Sequence, residues 1–329
     1  MNAKFLYIII AIGISMCFVG NIIMGNPALG VQQVSNYFFG EQENVYHFII
    51  QHRLNRTIMA FIGGGGLAVA GLLLQVYFRN PLAGPGVLGV TSGATFGVSL
   101  VILGGVGFSS VWGKTMLISG GVFGALFIII LLLTISRFIK NSISLLVLGL
   151  MFSYFTSAII STLNLWSNQA QTREFMLWGL GNFEGRTYQE LIIVSIIVLG
   201  GFVLAWSLTK ALNGLVLGEA YAKSMGINIR QIKWQIILIT GVIAGIITAF
   251  CGPIGFIGIA VPQIVRLIVK TSNHRSLIPL IFLCGAFLGI LADFTVRLTN
   301  NQLPLNAVTA LVGAPVIIYV IVRMNKRYA

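Results

Sequence analysis

Residues able to carry out chemistry are few in this chain, and none stands in a reactive pattern. Cys17, Cys251 and Cys284 lie in apolar stretches at no motif spacing, and His47, His52 and His274 are too far apart for a local metal site. The cysteines read as small buried hydrophobes rather than a disulfide or metal framework. A phosphate-binding loop needs Gly-x4-Gly-Lys-Ser/Thr, so that backbone N–H groups can cradle the phosphates. The nearest approach is Gly107-Phe-Ser-Ser-Val-Trp-Gly-Lys-Thr115, where Phe108 occupies the position that requires glycine. No catalytic residue, metal ligand or cofactor site is therefore expected in this chain, and any ATP-driven step needs another chain.

The informative side chains are the charged ones, because they are scarce. Only 8% of the 329 residues are charged, 57% are hydrophobic, and mean hydropathy is +0.95. Soluble domains average about 25% charged residues. The net charge of +13 could suggest nucleic acid, but the Lys and Arg residues sit at the ends of apolar blocks and form no contiguous patch, so nucleic-acid binding is excluded. Two groups stand out. One is the polar island from Leu215 to Arg230, carrying Glu219, Lys223 and Arg230, with Lys233 just beyond. Gly218 and Gly226 punctuate it like two short helices joined by a bend. The other comprises Arg53, Arg56 and Arg297.

These charges must be positioned by membrane-spanning helices, since a bilayer crossing takes about 20 apolar residues. The blocks are Phe5–Met24, Thr57–Phe78, 86–104, Thr115–Ile135, Ser142–Trp166, Leu191–Leu208, Trp234–Phe250, Ile254–Val269, Leu277–Val296 and Leu305–Val322. The first is expected to be a retained span rather than a signal peptide, since no small-residue cleavage site follows. This predicts an all-α integral membrane protein of about ten transmembrane helices, forming a single domain over residues 1–329. With alternating spans and a cytoplasmic N-terminus, only Arg53, Arg56, Lys114, Arg173, Arg186 and Arg297 fall outside, against fourteen Lys and Arg inside. Every acid but Glu219 falls outside. The positive-inside rule thus puts both termini and the island in the cytoplasm.

Two stretches break the apolar pattern with glycine and proline: Arg79-Asn-Pro-Leu-Ala-Gly-Pro-Gly-Val-Leu-Gly-Val-Thr-Ser-Gly-Ala94 and Cys251-Gly-Pro-Ile-Gly-Phe-Ile-Gly-Ile-Ala-Val-Pro262. Irregular backbone at membrane depth survives only where protein or a water-filled cavity covers it. Such segments either border a substrate path or are re-entrant caps that shape the bundle. Glycines 63–66 are read as helix packing.

The chain resembles the permease subunits of the iron-siderophore, haem and cobalamin ABC importers, the FecCD-type family, from about Gln51 to Arg323. The resemblance rests on Gln51-His-Arg-Leu-Asn-Arg-Thr57, Phe78-Arg-Asn-Pro-Leu-Ala83, Trp178-Gly-Leu-Gly181, Leu217-Gly-Glu-Ala220, Gly252-Pro-Ile-Gly-Phe-Ile-Gly258, Leu291-Ala-Asp293 and Val308-Thr-Ala-Leu-Val-Gly-Ala-Pro315. The chain departs from the family's usual residues at Asn55 (commonly Pro), Ala220 (often acidic) and Gln263 (commonly His).

The resemblance implies the type II importer permease architecture in the bacterial cytoplasmic membrane. It implies a second permease subunit, as homo- or heterodimer, and two ATPase subunits that hold the ATP and Mg2+. It also implies an extracytoplasmic substrate-binding protein that delivers a ferric siderophore or haem, with cobalamin as the alternative cargo. The island, about 211–233, matches the family's ATPase-coupling segment, with Gly218, Glu219, Ala222 and Gly226 as contact or bend positions. Arg53, Arg56 and Arg297 match arginines that pair with glutamates of the binding protein, a role suited to the planar guanidinium fork. Snorkelling of Arg53 and Arg56, and an i,i+4 pair of Arg297 with Asp293, are the plainer alternatives. Asn80, Leu82 and Ser142 sit where a cytoplasmic gate would close. The competing class is a transporter driven by an ion gradient. Against it, Asp293 is the one intramembrane carboxylate, and Arg297 is in reach to pair with it.

Overall fold

Each apolar block becomes a helix, because only intrahelical hydrogen bonds satisfy a backbone in hydrocarbon. The computed structural model describes residues 3–25, 27, 29–39, 45–105, 111–139, 142–269, 271–299 and 301–328. Among them are α1 (Ala3–Ile23), α2 (Val31–Phe39), α3 (Val45–Phe78), α4 (Val90–Ile102), α5 (Val111–Ile135), α6 (Ser142–Trp166) and α7 (Gln169–Gly179). They continue with α8 (Tyr188–Ser207), α9 (Thr209–Leu217), α10 (Glu219–Ser224), α11 (Ile229–Cys251), α12 (Ile257–Val269), α13 (His274–Leu298) and α14 (Leu305–Tyr328). No strand occurs among the described residues.

The ten apolar blocks correspond to ten of these helices, but not to ten of equal length. Seven are long and apolar enough to cross a bilayer, while 90–102, 257–269 and 305–320 are shorter apolar stretches. α4 and α12 are short because the two Gly/Pro segments take the place of their first turns. The polar stretch before the second block is also more ordered than its composition suggests. It contains α2, and the segment from Gln51 to Thr57 continues α3 upward as one 34-residue helix.

α3 is the central element, buried over most of its length, with α8, α11, α12 and α13 packed around it. Its glycines allow this. A methyl group on Gly64 would strike the Gly285 carbonyl oxygen of α13, and one on Gly71 would strike the Gly258 carbonyl of α12. On α4 and α5, Gly93 and Gly97 meet Gly124 and Gly120 backbone to backbone, the close crossing that small residues at four-residue spacing permit. These contacts bear out the packing reading of glycines 63–66.

Polar contacts agree with alternating spans. Asn55 Nδ2 donates to the Arg186 carbonyl at 3.2 Å, and Arg56 reaches Glu184 and Asp293, so groups expected outside meet one another. On the opposite side, Trp206 donates to the Arg275 carbonyl at 3.2 Å, and the Arg137 guanidinium lies 4.7 Å from the Trp234 ring centroid.

Candidate functional site

At the outer end, α1, α3 and α13 converge on a charged cup. Asp293 is 1% exposed, and its Oδ1 accepts from Arg56 Nε at 2.7 Å. The Arg297 Nε lies 3.8 Å from Asp293 Oδ2, a loose form of the i,i+4 pair. Arg53 donates to the carbonyls of Ile22 at 2.8 Å and Pro27 at 2.6 Å, and Arg297 Nη1 donates to the Asn21 carbonyl. Both therefore cap the carbonyl end of α1, where a helix leaves acceptors unpaired and favours cations. Arg56 also meets Glu184 at 3.2 Å, and Glu184 is the exposed member of the group. All three arginines are buried, which corrects snorkelling. They border an outward cavity of about 430 Å3 together with His52, Glu184 and Asn301.

At mid-depth the two Gly/Pro segments face each other. Gly84, Pro85 and Gly86 of the first, and Pro253, Gly255 and Phe256 of the second, line one cavity of about 360 Å3. Asn306 makes the second segment tenable. Its Nδ2 donates to the Pro253 carbonyl at 2.6 Å and the Gly179 carbonyl at 3.3 Å, while its Oδ1 accepts from Gly255 N–H at 3.0 Å. Asn306 escaped the sequence reading, although a lone asparagine opening an apolar block was a usable signal. Phe256 holds φ 67°, uncommon for a residue with a side chain, and its Cβ lies against Gly313 of α14.

The expected gate residues are placed unevenly. Asn80 Oδ1 accepts from Leu82 N–H at 2.9 Å, so Asn80 builds the turn that presents Leu82. Ser142 opens α6, but its side chain lies outside the described residues, as do residues 106–110 of the near phosphate loop. The first segment meets α6 at Gly149, where the Val87 carbonyl and Leu88 lie against it, and at Ser153, whose hydroxyl is 2.9 Å from that of Ser92.

At the inner end the island folds as α9 and α10, separated by Gly218 at φ 132° and ψ 151°. Those angles belong to glycine, and the bend is as expected. Gly226, at φ 76°, ends the unit with its N–H donated to the Lys223 carbonyl at 2.9 Å. Glu219 bonds Lys233 at 2.9 Å and ties α10 to α11. Ala222 is a correction. It is fully buried against Gly214 and joins α10 to α9, so no partner can touch it. The exposed apolar side chains are instead Leu217 at the end of α9 and Tyr221 and Met225 of the α10 turn.

A bundle with a charged outer cup, broken helices at mid-depth and a structured inner loop defines the class: a multi-pass membrane permease. The FecCD transport family model matches residues 9–323. The chain is 31% identical over 311 residues to the hemin transport system permease protein HmuU of Yersinia pestis, covering 94% of this chain and 92% of that one. It is 34% identical over 322 residues to the vitamin B12 import system permease protein BtuC of Vibrio cholerae, covering 96% and 93%. Among solved structures, an inward-facing conformation described as a metal-chelate type ABC transporter superposes with a TM-score of 0.84, at 30% identity over 98% of this chain and 100% of that one. The chain belongs to the FecCD transport family. It is an ABC importer permease of the cytoplasmic membrane, a transport subunit rather than an enzyme.

Proposed function

We propose that this permease imports an iron complex, a ferric siderophore or haem. It receives the complex from an extracytoplasmic binding protein and is driven by two separate ATPase subunits that hold ATP and Mg2+. The carrying observation is the inner face of Leu217, Tyr221 and Met225, three large apolar side chains exposed on a segment outside the bilayer. Such a face fits burial in a partner's cleft, where an aromatic side chain serves as an anchor. The outer cup, with Arg53, Arg56 and Arg297 around an open cavity, fits a partner's carboxylates. The hemin relative and the metal-chelate neighbour support the iron reading, and the vitamin B12 relatives keep cobalamin as the alternative.

A second permease copy or a related chain completes the path. α6 exposes Tyr154, Ser157 and Ser161 along one side, and hydroxyls on a membrane helix favour a protein- or water-lined surface over lipid. Asn80, Leu82 and Ser142 are proposed at the cytoplasmic gate of that path, and residues 1–329 as one transmembrane domain.

Uptake of radiolabelled haem, ferric siderophores and cobalamin by cells with and without the gene decides the cargo. Loss of one iron complex with cobalamin uptake intact is the expected result. Loss of cobalamin uptake alone would overturn the iron reading. Tyr221→Ala with Met225→Ala should reduce uptake at least tenfold with the protein still inserted, and unchanged uptake would remove the coupling role.

A further inference from the structure

At the inner end of the bundle the ends of four helices frame a second cup, separate from the exposed coupling face. It is lined by Gln75 and Arg79 at the end of α3, Arg266 in the last turn of α12, Ser272, His274 at the start of α13, and Val216 of α9, and encloses about 390 Å3. Two guanidinium groups share this cavity, and no carboxylate lines it.

Their hydrogen bonding is thin. Arg266 Nη1 is 3.4 Å from Gln75 Oε1, an oxygen that already accepts from Gln263 Nε2 at 2.7 Å. Arg79 Nη2 is 3.4 Å from the Leu215 carbonyl. Each guanidinium offers five N–H donors and, among the described residues, uses one on a neutral acceptor; Arg79 is exposed and Arg266 half-buried. Arg79 also stands at φ 47°, a conformation that costs energy for a residue with a side chain. Among the described residues no carboxylate reaches these cations. Glu219 is the one side-chain carboxylate on this side of the bilayer, and Lys233 holds it at 2.9 Å. The negative end of the α12 dipole favours a cation in its last turn, but it amounts to about half a charge spread over several carbonyls.

We infer that this inner cup binds a phosphate group. A phosphate presents several oxygens to two guanidinium forks and the Ser272 hydroxyl, with bidentate geometry available at each arginine. The remaining wall is apolar, formed by Val76, Pro81, Val216 and Leu277, which suits the glycerol end of a lipid at the inner interface. Basic recesses between membrane helices on the cytoplasmic side are natural sites for anionic headgroups. Because Arg79 also reaches the Leu215 carbonyl, the bound anion would link α3 and α12 to the base of the coupling segment. The cup stands independently of the cargo and of the ATPase assignment.

The test uses the purified full-length chain in neutral detergent and measures thermal stability and bound ligand by native mass spectrometry. The probes are short-chain phosphatidylglycerol, a short-chain diacylglycerol that lacks the phosphate, and inorganic phosphate. Phosphatidylglycerol should stabilise and be retained. Arg79→Gln and Arg266→Gln should each weaken retention about fivefold, the value of one interfacial cation. Val216→Trp should fill the cavity and abolish retention with the charge unchanged, which keeps the test decisive if Arg266→Gln fails to fold. Lys223→Gln, an exposed cation outside the cup, should change nothing. Stabilisation by inorganic phosphate as well assigns a free phosphate ligand, and stabilisation by the lipid alone assigns the headgroup. Both uphold the site. Equal retention of the two lipids without a phosphate response, or retention that survives the three cup substitutions, overturns it.

Discussion

Asp293 is expected to be the most sensitive charged position in the molecule. Its carboxylate is 1% exposed and lies 2.7 Å from Arg56 Nε and 3.8 Å from Arg297 Nε, and both arginines are buried. Asp293→Asn keeps the volume and removes the charge, leaving buried Arg297 without a carboxylate and buried Arg56 with only the exposed Glu184. Breaking a buried pair from one side costs about 3–5 kcal/mol, about a hundredfold or more in the unfolding equilibrium. Arg297→Gln should cost less, about 1.5–3 kcal/mol, because Asp293 retains the shorter bond to Arg56 and the loss falls mainly on the Asn21 carbonyl. Glu184→Gln removes the exposed partner of Arg56 and should cost under about 1 kcal/mol, with a salt dependence the buried pair lacks. The assay is equilibrium unfolding in mixed micelles, with double-mutant cycles over these three positions and Arg56→Gln. Coupling between Arg56 and Asp293 should exceed that between Arg297 and Asp293. Wild-type stability in Asp293→Asn would refute a charge-balanced cup.

Three further outcomes follow from the backbone. Gly71→Ala places a methyl group on the Gly258 carbonyl and should cost about 1–3 kcal/mol; Gly86→Ala meets nothing within 4 Å and should be silent in the same thermal assay. Gly218→Ala has room for its methyl group but not the backbone angles, so transport should fall more than folded yield, read as uptake per inserted molecule. Cysteines at Leu82 and Ser142 should cross-link across a permease dimer in a nucleotide-dependent way, and cross-linking indifferent to nucleotide would remove them from the gate.

Much of the architecture was readable because hydrocarbon imposes one rule on every segment. The block Ser142–Trp166 coincides with α6, and the bend at Gly218 falls where glycine punctuation placed it. Surroundings, in contrast, are not written in a single segment. The extra turns of α3 before Thr57 are polar in sequence and helical in the protein because α1 and α13 supply carbonyls and a carboxylate to Arg53 and Arg56. Ala222 was expected as a contact or bend position of the coupling segment, yet it is buried against Gly214. Asn306 and Gln75 carry no motif of their own, and their roles emerge from broken backbone contributed by distant segments.

The two ends of the bundle treat positive charge in opposite ways. Outside, Asp293 and Glu184 neutralise Arg56, and helix carbonyls absorb Arg53 and Arg297, so that end is largely self-sufficient. Under the proposed docking, a binding protein's carboxylates would compete with these internal partners, which suits a contact released in every cycle. Inside, Arg79 and Arg266 are left with one long bond each to a neutral oxygen. That end is electrostatically incomplete, which suits a contact that persists. A permease that exchanges its outer partner and keeps its inner surroundings needs this asymmetry. The positive-inside bias that orients the chain in the membrane supplies the cations for it.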